Sequence, residues 1–225
     1  MIPNNRIVSS FPRPDRELVA RFAGLPVANI GDVMNRIACF SHHLRPVNTS
    51  PMLGTALTVK TRPGDILFIH KALEMAKPGE ILVIDGQGDC ACALVGEIMV
   101  TYARKKGLAG MIIDGAVRDV DAMRKLTDFP VYAAGVTPNG PTRAGYGEIG
   151  TTISCGGVTV NPGDIIVGDA DGAVAVNPAF AESVIAGTKA QMTREQDTIE
   201  RILKDGTWDR SWLAEAMKAI GCHEE

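Results

Sequence analysis

Two adjacent residues of opposite charge, Arg118 and Asp119, follow the apolar run Met111-Ile-Ile113 and the stretch Asp114-Gly-Ala-Val117. The run predicts a strand. The stretch predicts a short glycine-containing loop that delivers a cation and a carboxylate side by side. In α/β proteins ligands bind beyond the carboxyl ends of strands. A guanidinium grips a carboxylate or an enolate oxygen through a planar fork, and an aspartate is a ligand for a hard divalent cation. The pair therefore fits a site for a metal-chelated oxyacid. It fits a plainer arrangement as well, in which Asp119 caps a helix from Val120 to Leu126 and Arg118 is a solvated charge.

A second motif, Gly96-Glu97-Ile98-Met99, falls in a helix expected from roughly Ala91 to Lys106, which the basic pair Lys105-Lys106 and Gly107 bring to an end. A helix that crosses between parallel neighbours starts close to the carboxyl ends of both strands. If the helix regularises around Gly96, its free N–H groups form an anion site, and Glu97 sits over the same pocket as Arg118. The alternative is that Gly96 allows close helix packing and Glu97 is a solvated first-turn acid.

The elements that must position these motifs are short and heavily punctuated. Pro63-Gly-Asp65, Pro78-Gly-Glu80 and Pro162-Gly-Asp164 mark recurring turns. After Asp65 the residues Ile66, Ile69, Leu73 and Ala76 keep helical spacing. Ile81-Leu-Val-Ile84 reads as a strand buried between layers. Pro130-Val-Tyr-Ala133, Val158-Thr-Val160, Ile165-Ile-Val167 and Ala173–Val176 read as further strands. Mixed helices and strands place the chain in the α/β class.

The 225 residues suffice for one substantial domain. A net charge of −3 with no long basic run gives no sign of a phosphate-neutralising patch, so no nucleic-acid partner is expected. The five cysteines match no zinc spacing, which fits a reduced intracellular protein. No signal pattern or membrane-spanning run is found, and a cytoplasmic location without membrane attachment is expected.

The C-terminal part changes character at residue 177. Asn177-Pro178 opens a helix that only Gly187 weakens before Gly206 stops it. At 1.5 Å per residue that helix is about 40 Å long, more than a covering helix needs. Residues 1–176 are therefore read as the α/β domain. Residues 177–225 are read as a helical extension packed on a neighbouring subunit.

At this point the chain resembles the 4-hydroxy-4-methyl-2-oxoglutarate aldolase family, which overlaps with the proteins named RraA, regulators of ribonuclease E. The resemblance is carried by Gly96-Glu-Ile-Met99 and Gly107-Leu-Ala-Gly-Met-Ile-Ile-Asp-Gly-Ala-Val-Arg-Asp-Val120. It continues through Phe129-Pro-Val131, Cys155-Gly-Gly-Val-Thr-Val-Asn-Pro-Gly-Asp164 and Asp169-Ala-Asp-Gly-Ala-Val174. Upstream, Gly64–Ala72 and Pro78–Asp85 also fit, so the likeness spans roughly residues 20 to 212.

The resemblance implies a layered α/β domain of the swivelling β/β/α type. It implies a class II pyruvate aldolase that uses Mg²⁺ or Mn²⁺, often with oxaloacetate decarboxylase activity, and a homotrimer or homohexamer with sites at subunit interfaces. The substrate would be a small 2-oxo acid. By position, Arg118 matches the family's substrate arginine and Asp119 its metal anchor. Glu97 stands where many members have Asp, and the water that takes the substrate's hydroxyl proton would be bound to the metal or held by Glu97. Gly96 and the Ile98 and Met99 amides would bind the pyruvyl carboxylate.

The family's metal site takes a Glu from the neighbouring subunit's C-terminal helix, and Glu195, Asp197 and Glu200 are the candidates here. Val184, Thr188, Met192, Ile199 and Leu203 form an apolar stripe; Glu195 lies on its edge and is chosen. No catalytic role is assigned to His42, His43 or His70. Lys60, Lys71 and Lys77 have no activating context for a Schiff base. Arg143, Arg62 and Arg36 are equal candidates for a distal carboxylate. A non-catalytic ribonuclease-binding protein is the competing reading. A methyltransferase is not supported, because no glycine-rich S-adenosylmethionine loop follows an N-terminal strand.

Overall fold

The computed structural model describes residues 5–222. Strand β1 (Arg6–Ile7) leads to helices α1 (Arg16–Ala20) and α2 (Val27–Val33), then β2 (Arg45–Pro46) and β3 (Met52–Thr61). Next come α3 (Leu67–Met75), β4 (Glu80–Asp85), β5 (Ala93–Val95), α4 (Glu97–Lys105) and β6 (Gly110–Val117). Helix α5 (Val120–Met123) precedes β7 (Val131–Val136), β8 (Gly147–Ile149), β9 (Ile153–Cys155) and β10 (Val158–Val160). Strands β11 (Ile165–Asp169) and β12 (Gly172–Val176), a 3-10 turn (Pro178–Phe180), α6 (Ala181–Asp205) and α7 (Trp212–Ala219) complete the order.

The centre of the large sheet is the parallel run β3-β4-β6-β7. Strand β3 is long enough to pair twice on its other edge, with β11 along its first half and with β8 at its end. Period-two alternation splits the apolar residues of these strands between two cores. Leu57, Val59, Leu82, Ile84, Met111 and Ile113 face Ile69 and Leu73 of α3 and Val100 and Ala103 of α4. Ala56, Ile81, Val83, Ile112 and Tyr132 face the β9-β10 hairpin through Ile153, Cys155, Val158 and Val160. Because both faces are covered, the central strands read as continuous apolar runs. The hairpin turns through Gly156 and Gly157, both at positive φ (54° and 77°), as a two-residue loop matched to strand twist requires. Helix, sheet and second sheet make the expected layered α/β architecture.

Two local expectations are corrected. Residues 93–95 are strand β5, not the start of a helix, because Ala93 and Val95 pair in parallel with Ala116 and Val117. Leu94 is buried where a Cβ on Gly86 or Gly115 would come within 2.5 or 2.8 Å of its Cδ1. The stretch Asp114–Val117 is strand rather than loop. It bulges against β7 between Ile113 and Ala116 and delivers Arg118 directly from the strand end.

The chain divides into two compact units, residues 1–188 and 189–225. The first unit holds the start of α6, where Ala181, Val184, Ile185 and Thr188 are buried. In the second unit no described residue is buried, and Leu203, Ile220, Trp208 and Trp212 are largely exposed. Gly206, at φ +66°, ends α6 as expected.

Candidate active site at the β5 and β6 strand ends

Pairing of β5 with β6 brings the two sequence motifs together. The Arg118 amide donates to the Val95 carbonyl at 3.0 Å, the last rung before both chains leave the sheet. Gly96 follows Val95 in extended conformation and is the N-cap of α4, so the helix starts at Glu97. Asp119 follows Arg118 and takes the left-handed conformation, φ 61° and ψ 36°. An L-residue pays for that backbone, and Asp is among the few that tolerate it.

Asp119 occupies the N-cap position of α5, yet its side chain makes no cap bond to that helix. Its carboxylate turns to the other helix: Oδ2 accepts from the Glu97 amide at 3.1 Å. An anion therefore already sits at the positive end of α4. The Arg118 Nε lies 3.7 Å from the same oxygen, and both side chains are 44 % exposed, open to solvent and ligand alike. A Cβ on residue 96 would fall 2.7 Å from Asp119 Oδ2 and 3.1 Å from Arg118 Nε. The absence of a side chain at Gly96 is what lets the three groups converge.

The remaining amides of the first turn differ in availability. The Met99 and Val100 amides both donate to the Gly96 carbonyl, each at 3.1 Å. The Met99 amide is thus engaged inside the helix, while the Ile98 amide has no acceptor among the described residues. The Glu97 side chain is exposed, as is Ile98 at 84 %. Ile98 lies with Tyr102 and His70 along a shallow hollow beside the helix start.

Sequence reasoning missed the loop from 137 to 146 that walls the site. The Thr137 amide donates to Val117, and Gly140 approaches Arg118, with Nη1 3.9 Å from an ideal Cβ. Asp65, fully buried, braces this loop: its carboxylate accepts from the Leu67, Ala144 and Gly145 amides and from the Thr142 hydroxyl, at 2.7–2.9 Å. Burial pushes the Asp65 carboxyl up, but these four donors together outweigh it and hold it below the ordinary value. The Pro-Gly-Asp turn was the only signal in the sequence.

Also unforeseen is a row of charges on the hairpin face of the sheet at the same strand ends. Glu148, Lys60, Asp85 and Asp114 are register neighbours across β8, β3, β4 and β6. Burial raises the Asp85 carboxyl, with Asp114 adding to the shift and the Gln87 amide and Lys60 opposing it. Asp114 accepts from the Gly156 amide at 2.7 Å and meets His43 Nε2 at 3.1 Å, while His43 Nδ1 meets Ser41 Oγ at 2.9 Å. Of the arginines considered for a distal carboxylate, Arg36 is paired with Asp32 at 2.6 Å and Arg62 bonds Thr142 at 3.3 Å. Arg143 has no side-chain partner among the described residues.

Among the described residues no group of three or more His, Cys, Asp and Glu stands together to hold a metal ion. Asp119 still fits a hard cation that keeps most of its waters: Oδ1 accepts no hydrogen bond among the described residues, and the carboxylate is exposed. In the C-terminal unit, Glu195 is exposed, accepts from Gln191 Nε2 at 2.9 Å, and lines a groove with Ile199, Ile202 and Trp208. Glu200 is bonded to Gln196 at 2.8 Å.

The RraA-like model, described as Aldolase/RraA, matches residues 27–175. The chain belongs to the RraA-like family. This RraA-like protein is 35% identical over 190 residues to a provisionally named 4-hydroxy-4-methyl-2-oxoglutarate aldolase of Halalkalibacterium halodurans, covering 84% of this chain and 90% of that one. Its fold matches the crystal structure of Streptomyces coelicolor RraAS2, an unusual member of the RNase ES inhibitor RraA family. The TM-score is 0.73 at 25% identity, covering 83% of this chain and 98% of that one. The RNA-processing inhibitor RraA from Thermus thermophilis matches with a TM-score of 0.61 at 26% identity, covering 67% of this chain and 92% of that one. Among the described residues no helix is long and apolar enough to cross a membrane.

Proposed function

We propose that this RraA-like protein is a divalent-metal-dependent lyase that cleaves 4-hydroxy-2-oxo acids to pyruvate and decarboxylates oxaloacetate. Substrates of this class include 4-hydroxy-4-methyl-2-oxoglutarate and 4-carboxy-4-hydroxy-2-oxoadipate. The observation that carries the proposal is the convergence of Gly96, Arg118 and Asp119 at the start of α4. It places a cation, a carboxylate and a helix N-terminus within one mouth, which suits an oxyacid and its developing negative charge.

Asp119 would hold Mg²⁺ or Mn²⁺, with Glu195 of a neighbouring subunit's extension as the second protein carboxylate. Bound there, the ion would supply Lewis-acid polarisation of the 2-oxo acid. Arg118 donates through its planar fork to the oxygen on which charge builds as the C–C bond breaks. The Ile98 amide is the free first-turn donor for the pyruvyl carboxylate; the Met99 amide, engaged by Gly96, contributes helix geometry instead. Glu97 holds the water that takes the proton from the substrate hydroxyl in retro-aldol cleavage. Loss of CO₂ from oxaloacetate needs no such base.

Ile199, Ile202 and Trp208, exposed together along one groove of the extension, support a subunit interface, because adjoining apolar side chains of this size favour burial against a partner. A homotrimer or homohexamer would bring one subunit's extension to another's strand ends. The second reading, a non-catalytic inhibitor of an RNA-processing enzyme, draws on the likeness to RraA structures. The lyase reading is preferred for the cation and the carboxylate that meet at the start of α4. The test is pyruvate release from a panel of 4-hydroxy-2-oxo acids and oxaloacetate, with and without added Mg²⁺. Mg²⁺-dependent release supports the lyase; no release from any member of the panel removes it.

A further inference from the structure

At the opposite end of the sheet from Arg118 lies a cavity of about 420 Å³, between α1 and the starts of β3 and β4. Strand β4 runs six residues from Glu80 at this cavity to Asp85 near the candidate active site, and at 3.3 Å per residue that separates the two by roughly 17 Å. The size is that of a small-molecule pocket. Val19, Leu53 and Pro78 give it apolar walls.

Its charges are unevenly satisfied. Arg13, Arg16 and Lys77 line it, against Glu80 as the lone lining acid. Glu80 is already occupied: Oε1 accepts from Arg13 Nε at 2.7 Å and Oε2 from the Lys77 amide at 2.7 Å. Arg13 is further held by the Phe11 carbonyl and lies over the Phe11 ring. Arg13 and Glu80 thus neutralise each other. The side chains of Arg16 and Lys77 have no acceptor among the described residues, and neither does the hydroxyl of Thr55 on the same wall. Two unspent cations and a spare hydroxyl over an apolar floor make an environment complementary to an anion with an apolar body.

We propose that this cavity binds a small organic dianion, with its charged head between Arg16, Lys77 and the Thr55 hydroxyl. Its apolar part would lie against Val19 and Leu53. The net charge of the lining, two positive after the Arg13–Glu80 pair cancels, sets the preference for a dianion over a neutral or singly charged ligand. The head is a phosphate ester or a pair of carboxylates, which share this chemistry. The site is independent of the lyase reading, since it uses no residue of the strand-end mouth.

The test is calorimetric titration of the full chain with phenyl phosphate, phthalate and benzyl alcohol. Saturable binding of phenyl phosphate or phthalate is expected, the tighter of the two identifying the head group. Arg16→Ala and Lys77→Ala, both at exposed side chains, should each weaken it about tenfold, and Arg118→Ala should leave it unchanged. Higher salt should weaken it further. Equal binding of benzyl alcohol, no saturation by either dianion, or loss through Arg118→Ala instead would overturn the proposal. So would a change in assembly mass on Arg16→Ala or Lys77→Ala without dianion binding by wild type, which would make this face a contact between copies of the chain.

Discussion

The Asp119 carboxylate caps the helix that begins 22 residues before it: Oδ2 accepts from the Glu97 amide at 3.1 Å. Asp119 is next to α5 in sequence but serves α4 in space. That choice fixes the carboxylate beside Arg118 and leaves Oδ1 for a ligand.

Gly96 is the position at which this arrangement is most easily broken. Gly96→Ala puts a methyl 2.7 Å from Asp119 Oδ2 and 3.1 Å from Arg118 Nε, so both side chains must move. Turnover should drop about 10²-fold, the cost of misplacing catalytic groups by around an ångström. Melting should report only a modest overpacking penalty, about 1–3 kcal/mol or less. Unchanged turnover would mean that Arg118 and Asp119 need not hold their present places.

Asp119→Asn separates the carboxylate's charge from its structural work. Asn tolerates the left-handed backbone and can still accept from the Glu97 amide. Stability should therefore change by less than about 1 kcal/mol, while metal-dependent pyruvate release should be nearly lost. A strongly destabilised Asp119→Asn, measured by denaturant unfolding, would show that the charge is needed for folding.

Asp65 predicts a pH signature in stability. Its folded carboxyl titrates below its unfolded value, so it contributes stability above the unfolded value, and that contribution is lost as pH falls through the folded one. Asp65→Asn should destabilise the protein by at least about 2 kcal/mol at neutral pH, since it removes acceptor capacity from buried donors. The difference from wild type should narrow as pH drops into the acid range. Chemical denaturation at a series of pH values checks this; a gap that stays constant with pH would reject it.

Subunit sharing predicts complementation. Asp119→Ala and Glu195→Ala should each be nearly inactive alone. Unfolded and refolded together, some interfaces would pair an intact Asp119 with an intact Glu195, and activity should exceed the sum of the parents. If mixed oligomers stay inactive while co-refolded wild type recovers, the two carboxylates do not meet across subunits. Full activity in Glu195→Ala would turn attention to Glu200.

Much of this was legible in the sequence where one local rule decides. The continuous apolar run Ile81–Ile84 located β4, β-branched residues between turns located Val158–Val160 and the Ile165–Val167 part of β11, and Asn177 with Gly206 bracketed the long helix. Strand β5 escaped because Ala-Leu-Val has no periodicity of its own; its state is set by pairing with β6 and by the room that Gly86 and Gly115 leave for Leu94. Arg118, Asp119, Glu97 and Gly96 could be named from residue type and spacing. That Glu97 and Arg118 share a pocket was also expected, from a helix crossing between parallel strands; the bond from the Glu97 amide to Asp119 was not, because it depends on that same pairing and on a left-handed Asp119. The Asp65 brace was hidden for a similar reason: its partners Thr142, Ala144 and Gly145 are far along the chain.

The most direct test of the proposed chemistry is the turnover number for pyruvate release by chelator-treated protein before and after Mg²⁺ is restored, in wild type and Arg118→Lys. Removal of metal should abolish release above the rate of free metal, and Mg²⁺ should restore it in wild type. Arg118→Lys keeps the charge but loses the planar fork, and it should remain about 10²-fold below wild type with its melting temperature little changed. Full activity after exhaustive metal removal, or near-normal turnover by Arg118→Lys, would contradict the account.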